Sequence, residues 1–194
     1  MSADTWLVAG LGNPGPGYAR HRHNVGAMVL EELAGRIGAG FSTDHRARAT
    51  VATGRLRPGG PRVVLAQPAV YMNTSGGPVA ALLQYYSITA AQLIVVHDEL
   101  DIPFDDVRLK RGGSEGGHNG LKDITRAIGT RDYVRVRVGI GRPPGRRDPA
   151  DHVLSDFAKS EQTVLPMLVD TAADAVEAVV DDGLLAAQQR FHAR

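Results

Sequence analysis

Six of the eight residues from Gly10 to Gly17 are glycine or proline, and such a stretch cannot continue either a helix or a strand. It follows Trp6-Leu7-Val8-Ala9, an apolar run suited to a buried strand, so the chain must turn sharply where that strand ends. Asn13 lies in the turn and His23 just beyond it. In open α/β sheets the crevice outside the carboxyl ends of the strands is the usual ligand position, which makes both side chains site candidates.

Beyond His23, apolar residues Val25, Met28, Val29, Leu33 and Ile37 recur at helical spacing, with Glu31, Glu32 and Arg36 on the other side, and Gly38 and Gly40 end the helix. Arg48 to Arg57 and Arg62 to Gln67 form a predicted hairpin around Pro58-Gly59-Gly60-Pro61. Tyr71, Met72 and Asn73 fall at a strand-to-helix junction, and the helix face that follows carries Val79, Leu82, Leu83 and Tyr86. A strand from Leu93 to Val96 runs into His97-Asp98-Glu99-Leu100, so ionisable groups again stand where an apolar strand stops.

Between Ile102 and Gly117, Arg108, Lys110 and Arg111 alternate with Val107 and Leu109 before GGSEGG, which reads as a strand leading into a flexible loop. Asn119 is expected to open a helix with an inner face of Leu121, Ile124 and Ile128, closed by Gly129. From Tyr133 to Ile140 the pattern alternates, placing Val134, Val136, Val138 and Ile140 inward and Arg135 and Arg137 away from the core. RPPGRRDPAD, residues 142–151, reads as a basic rim or mobile lid. A helical tail is expected from Glu161, with Pro166 near its first turns and Gly183 before a last helix. Strands alternating with helices, together with one hairpin, predict a single-domain α/β three-layer sandwich over residues 1–194, with a twisted mixed sheet flanked by helices.

Several motifs mislead by spelling. Gly10-Leu11-Gly12-Asn13-Pro14-Gly15 matches GxGxxG after a strand, but Pro14-Gly15-Pro16-Gly17 would break the helical turn that must hold a pyrophosphate. Glu31 and Glu32 fall inside a helix instead of ending a second strand, so the dinucleotide reading is rejected. The HDEL at 97–100 is internal and serves as no retention signal. Asn73-Thr74-Ser75 spells a glycosylation triplet without a secretory context.

The absence of cysteine excludes a disulfide framework and a thiol nucleophile and suits a reducing cytoplasm. No signal peptide or membrane span is visible. The formal net charge is only +1, so a nucleic-acid partner would need a local basic patch, with Arg108, Lys110 and Arg111 on one edge and Arg142, Arg146 and Arg147 on another. If the strand ends coincide, His23, Asp98, Asn13, Asn73 and Asn119 surround one crevice. A neutral imidazole can take a proton from water, a carboxylate can hold its tautomer, and neutral amides can grip a peptide or an oxyanion without adding charge. That set supports hydrolysis.

GLGNPGPGYARHRHNVG, YMNTSGG, HDELDIPF, RLKRGGSEGGHNGLKDI and RVRVGIGRP resemble, in order, the signature blocks of bacterial peptidyl-tRNA hydrolase and cover most of residues 6–143. The resemblance implies cleavage of the ester joining a peptide to the terminal ribose of tRNA, by a metal-free, cofactor-free cytoplasmic monomer without an obligate protein partner. It implies His23 as the catalytic base and Asp98 as the group that keeps it basic. Asn13, Asn73 and Asn119 would grip the peptidyl part, with Asn13 linked to rejecting free amino groups. Tyr18 and Tyr71 would be aromatic positions at the substrate, Met72 and His118 would line the crevice, and Arg108, Lys110 and Arg137 would hold tRNA phosphates. Glu115 receives no role. An RNA-binding protein without the activity and a nucleotide-dependent oxidoreductase are the competing readings; intact His23, Asp98 and Asn13 argue against the first, and the prolines against the second.

Overall fold

A computed structural model describes residues 4–192. Seven strands form one sheet in the order β2-β3-β4-β1-β5-β7-β6. Its centre is parallel: β1 (Thr5–Gly10) lies between β4 (Arg62–Pro68) and β5 (Leu93–Glu99), and β7 (Val134–Gly139) continues beyond β5. The expected hairpin forms between β3 (Ala49–Arg55) and β4, and β6 (Val107–Arg111) runs antiparallel to β7. The short edge strand β2 (Ser42–Asp44) carries too few residues to show a period and is an addition to the sequence reading.

Helices cover both faces, giving the three layers. On one side α1 (Val25–Arg36) and α5 (Lys159–Asp182) bury Val29, Leu30, Leu33, Val176 and Val179 against Val8, Ile94 and Val136. On the other, α2 (Gly76–Tyr85) and α3 (Asn119–Ile128) bury Val79, Leu82, Leu121 and Ile124 against Leu7, Val95 and Tyr133. Alternate residues of β1 and β5 thus feed two cores, so these strands read as continuous apolar runs. Arg36 ties α1 to α5 by pairing with Glu32, Asp170, Asp174 and Glu177.

Three expectations are corrected. Arg135 is not solvent-facing; it is fully buried, because β7 is an inner strand and the glycine loop at 113–114 folds over this face. Its guanidinium donates to the carbonyls of Ser114 at 2.6 Å and Gly113 at 3.2 Å and lies over the Tyr133 ring. The 142–151 connection contains a short helix, α4 (Pro149–Val153), whose N-terminus Asp148 caps through the backbone N–H of Ala150. The long tail helix α5 begins two residues before Glu161, continues through Pro166 and ends at Gly183, whose φ of 87° no β-carbon favours. The last helix, α6 (Leu184–His192), covers the sheet edge. Gln188 donates to the Leu109 carbonyl and His192 accepts from the Leu109 N–H, standing in for a neighbouring strand.

Two glycines set the distance between helix and sheet. A methyl group on Gly26, in the first turn of α1, would overlap the Val96 carbonyl oxygen, and one on Gly10 would overlap the Gly26 carbonyl. Backbone therefore meets backbone where β1, β5 and α1 converge.

Candidate active site

The register pairs Gly10 with Val96, so the glycine-proline loop leaves β1 beside the end of β5, where Asp98 follows. His23 lies not on a simple loop but in a single 3-10 turn, Arg22–Asn24, that leads into α1. Its Nδ1 is 2.9 Å from both Asp98 carboxylate oxygens, and both side chains are buried. Because an ionised carboxylate only accepts, Nδ1 carries the proton and Nε2 keeps its lone pair. Burial alone would lower the His23 pKa, but the charge and hydrogen bond of Asp98 together outweigh it and hold the imidazole above its usual 6.5.

Asp98 has a second imidazole partner, His118 Nε2 at 2.9 Å. As read from the sequence, α3 opens at Asn119; the residue that caps it is His118, whose Nδ1 accepts the backbone N–H groups of Gly120 and Leu121 at 3.1 and 3.4 Å. With Nδ1 committed as acceptor, the His118 proton resides on Nε2 and points at Asp98. Burial would raise the Asp98 pKa, yet the two histidines hold the carboxyl well below the usual carboxylate range. His23, Asp98 and His118 offer ligand atoms within 4.8 Å of one another, as a metal site would. His118 argues against that use: its Nδ1 lone pair is taken by the Gly120 and Leu121 N–H groups, so its Nε2 bears the proton and has no lone pair to coordinate. A third imidazole, His97, donates from Nδ1 to the Asp98 carbonyl at 2.7 Å. Complete burial pushes its pKa down to about 3, so it stays neutral.

Asn13 is fixed from both sides. Its main chain exchanges hydrogen bonds with the Asn24 amide at 3.0 and 2.9 Å, and its Oδ1 accepts the Met72 N–H at 2.7 Å. The free end of its side chain is consequently the NH2 donor. Asn13, His23 and Asp98 line one cavity of about 360 Å³ together with Tyr71, Met72, Asn73, His118 and Asn119. Tyr18 stands outside the lining, its ring edge-on to Tyr71 with centroids 6.2 Å apart, while Tyr71 is 61% exposed at the rim. The far-separated segments singled out in the sequence thus converge.

Arg108, Lys110 and Arg137 lie off the cavity, on β6 and β7, where Arg108 is directly opposite Arg137 and Lys110 opposite Arg135. Arg108 pairs with Asp106 at 2.9 Å and Arg142 with Asp101 at 2.7 Å. Glu115 accepts from Arg131 at 2.8 Å and so braces the glycine loop.

The segment read as a rim or lid supplies the opposite wall through Pro149 and Ala150; Val153 and Leu154, which continue that wall beyond 151, were not singled out in the sequence. The sequence reading missed what anchors that wall. The buried Arg22 donates to Ser155 Oγ at 2.6 Å and the Asp156 carbonyl at 2.8 Å, and pairs with Glu161 at 2.7 Å. His152 Nε2 donates to the Gly141 carbonyl at 3.2 Å, clipping the two ends of the segment. An arginine one residue before the base is an ordinary surface residue by pattern; only its partners reveal the clamp.

A family model described as peptidyl-tRNA hydrolase matches residues 7–194. The chain belongs to this family. A peptidyl-tRNA hydrolase of Pseudarthrobacter chlorophenolicus is 64% identical over 189 residues, covering 97% of this chain and 96% of the relative. One from Leifsonia xyli subsp. xyli is 61% identical, covering 96% of each chain. The solved peptidyl-tRNA hydrolase of Acinetobacter baumannii superposes with a TM-score of 0.90 at 35% identity, over 98% of this chain and 96% of that one. The enzyme hydrolyses peptidyl-tRNA, and the mixed α/β fold expected from the sequence is that of the family. Among the described residues no helix is long and apolar enough to cross a membrane.

Proposed function

We propose that peptidyl-tRNA ester hydrolysis runs on His23 as general base. Its Nε2 takes a proton from a water as the water attacks the ester carbonyl; Asp98 receives the Nδ1 proton's hydrogen bond and stabilises the imidazolium that forms. The proton then passes to the departing ribose oxygen. His118 keeps Asp98 ionised and oriented. The observation that carries this reading is the 2.9 Å contact of His23 Nδ1 with both Asp98 oxygens, which leaves Nε2 as the basic atom.

Asn13 contributes a donor to the substrate carbonyl. Because its oxygen is held by Met72, the same amide offers nothing to a free ammonium, and an N-acylated residue is the better ligand. Asn73 and Asn119 hold the peptide backbone, Tyr18 and Tyr71 pack against the substrate, Met72 lines the acyl side, and Arg108, Lys110 and Arg137 hold tRNA phosphates. No covalent nucleophile, metal or cofactor enters this course. The chain acts as one domain over residues 1–194, a cytoplasmic monomer without an obligate protein partner; the single sheet and the helices drawn from both halves of the chain to cover it support that reading.

Incubation with a peptidyl-tRNA separates the possibilities. Wild-type protein releases tRNA and His23→Ala does not; equal release by both removes His23 as base. Sedimentation at micromolar concentration reads the oligomeric state.

A further inference from the structure

Asp98 and Glu99 are consecutive carboxylates at the end of β5, and both line the catalytic cavity. Their surroundings are opposite. Asp98 accepts from two imidazoles. The Glu99 carboxylate, on a side chain only 11% exposed, accepts a hydrogen bond from no described residue, and its nearest cation, Arg137, stands 3.9 Å away, beyond hydrogen-bond length. The carboxylate is half-buried and opens on the cavity, so its lone pairs are free to accept from a ligand donor that enters there.

The position of Glu99 says which part of the ligand that is. On one side it adjoins the Asp98–His23 pair, where the ester reacts. On the other it adjoins Arg137, which is in register with Arg108 on the next strand, where phosphate would lie. The unit of peptidyl-tRNA that spans ester and first phosphate is the terminal ribose. A carboxylate repels phosphate and has nothing to accept from an ester, but it accepts from hydroxyls, and the ribose carries one beside the ester oxygen. Gly116 leaves the space open: a methyl group there would stand 3.5 and 3.7 Å from the two Glu99 oxygens.

Resting on the assignment of His23 as base, we propose that Glu99 accepts the 2′-hydroxyl of the terminal ribose, making this carboxylate the element of the cavity that reads an RNA end. The 2′-hydroxyl is the group by which a protein distinguishes RNA from DNA at one site. A hydrogen bond to a charged acceptor in a partly buried setting sets the size of the effect.

The test compares an N-acetyl-aminoacyl-tRNA ending in adenosine with one ending in 2′-deoxyadenosine, for wild type, Glu99→Met and Glu99→Gln. For wild type, kcat/KM falls about 10- to 100-fold on the deoxy substrate. Glu99→Met loses a similar factor on the ribose substrate and discriminates no further, while Glu99→Gln, which keeps one acceptor oxygen, recovers part of the loss. Any intrinsic difference in ester reactivity, measured without enzyme, is divided out of each ratio. Equal wild-type rates on the two substrates overturn the proposal and require no variant to fold. So does Glu99→Met losing activity equally on both substrates with the wild-type ratio intact, the behaviour of a mere partner for Arg137. His23→Ala run in parallel keeps the two readings apart: its inactivity beside a failed ratio removes only the role of Glu99, whereas its wild-type activity removes the base assignment.

Discussion

The two walls of the catalytic crevice are held in different ways. On the β5 side, His23, Asp98, His118, Asn13 and Asn24 are drawn from four separate segments, yet each is fixed by hydrogen bonds to another member or to the Met72 and α3 backbone. On the other side, the 141–155 segment is mostly exposed and is fastened at its ends, by the His152 clip and the Arg22 clamp. The difference separates chemistry from capture. In the proposed mechanism, proton transfer uses the wall whose side chains are held by one another, while the facing wall, held at two places, bounds the bound substrate.

That contrast is broken most directly on the fixed wall. His23→Ala and Asp98→Asn are expected to lower kcat by about 10²–10⁴-fold while KM changes little, measured by single-turnover release of tRNA. An asparagine at 98 lacks the charge that stabilises the imidazolium, and its NH2, in place of Oδ2, would favour the wrong His23 tautomer. A rise in KM with kcat preserved would place these residues in capture instead.

Arg22→Met is expected to act through the other wall. Removing one partner of a buried ion pair costs about 3–5 kcal/mol, and the partial exposure of Glu161 puts this case at the lower end. Urea unfolding should show that loss, and KM should rise more than kcat falls. A kcat loss matching that of His23→Ala would show that the clamp positions the base and erase the distinction between the walls.

The pH profile sharpens it. Only neutral His23 can take a proton, and Asp98 holds its pKa above 6.5, so kcat/KM should fall as pH drops through that raised value. Without the Asp98 charge, burial dominates and the limb should move to lower pH in Asp98→Asn. Stability runs in the opposite sense: the contribution of the His23–Asp98 pair is fully present below 6.5 and lost as pH rises through the folded value. Arg22→Met should leave the limb where it is. The smallest effect is expected on the exposed rim, where Arg142→Gln breaks the pair with Asp101 for about 0–1 kcal/mol and changes chiefly the salt dependence of KM.

What could be read from the sequence followed locality. The strand and turn from Trp6 to Gly17, the β3–β4 hairpin and the amphipathic helices declare themselves within a few residues, by period and by glycine and proline. The convergence of the candidate residues on one crevice was legible because polar residues stood at successive strand ends, and also through the resemblance of the motifs. Arg22, Arg135 and Glu99 were not legible. Whether a charged residue lies in solvent or in the interior is decided by partners more than 15 residues away, as Arg22 with Glu161 and Arg135 with Ser114 show. Five-residue α4 and three-residue β2 are too short to carry a period.

The meeting of Gly10, Gly26 and Val96 leaves no shim between helix and sheet. The backbone of the turn that carries the imidazole, three residues upstream, is thereby set by main-chain contacts, and the Asp98 carboxylate then orients the ring. A lineage adapting this enzyme to new acyl groups would find that corner closed to small steps and would be steered toward the wall carrying α4, where substitutions do not disturb the proton path.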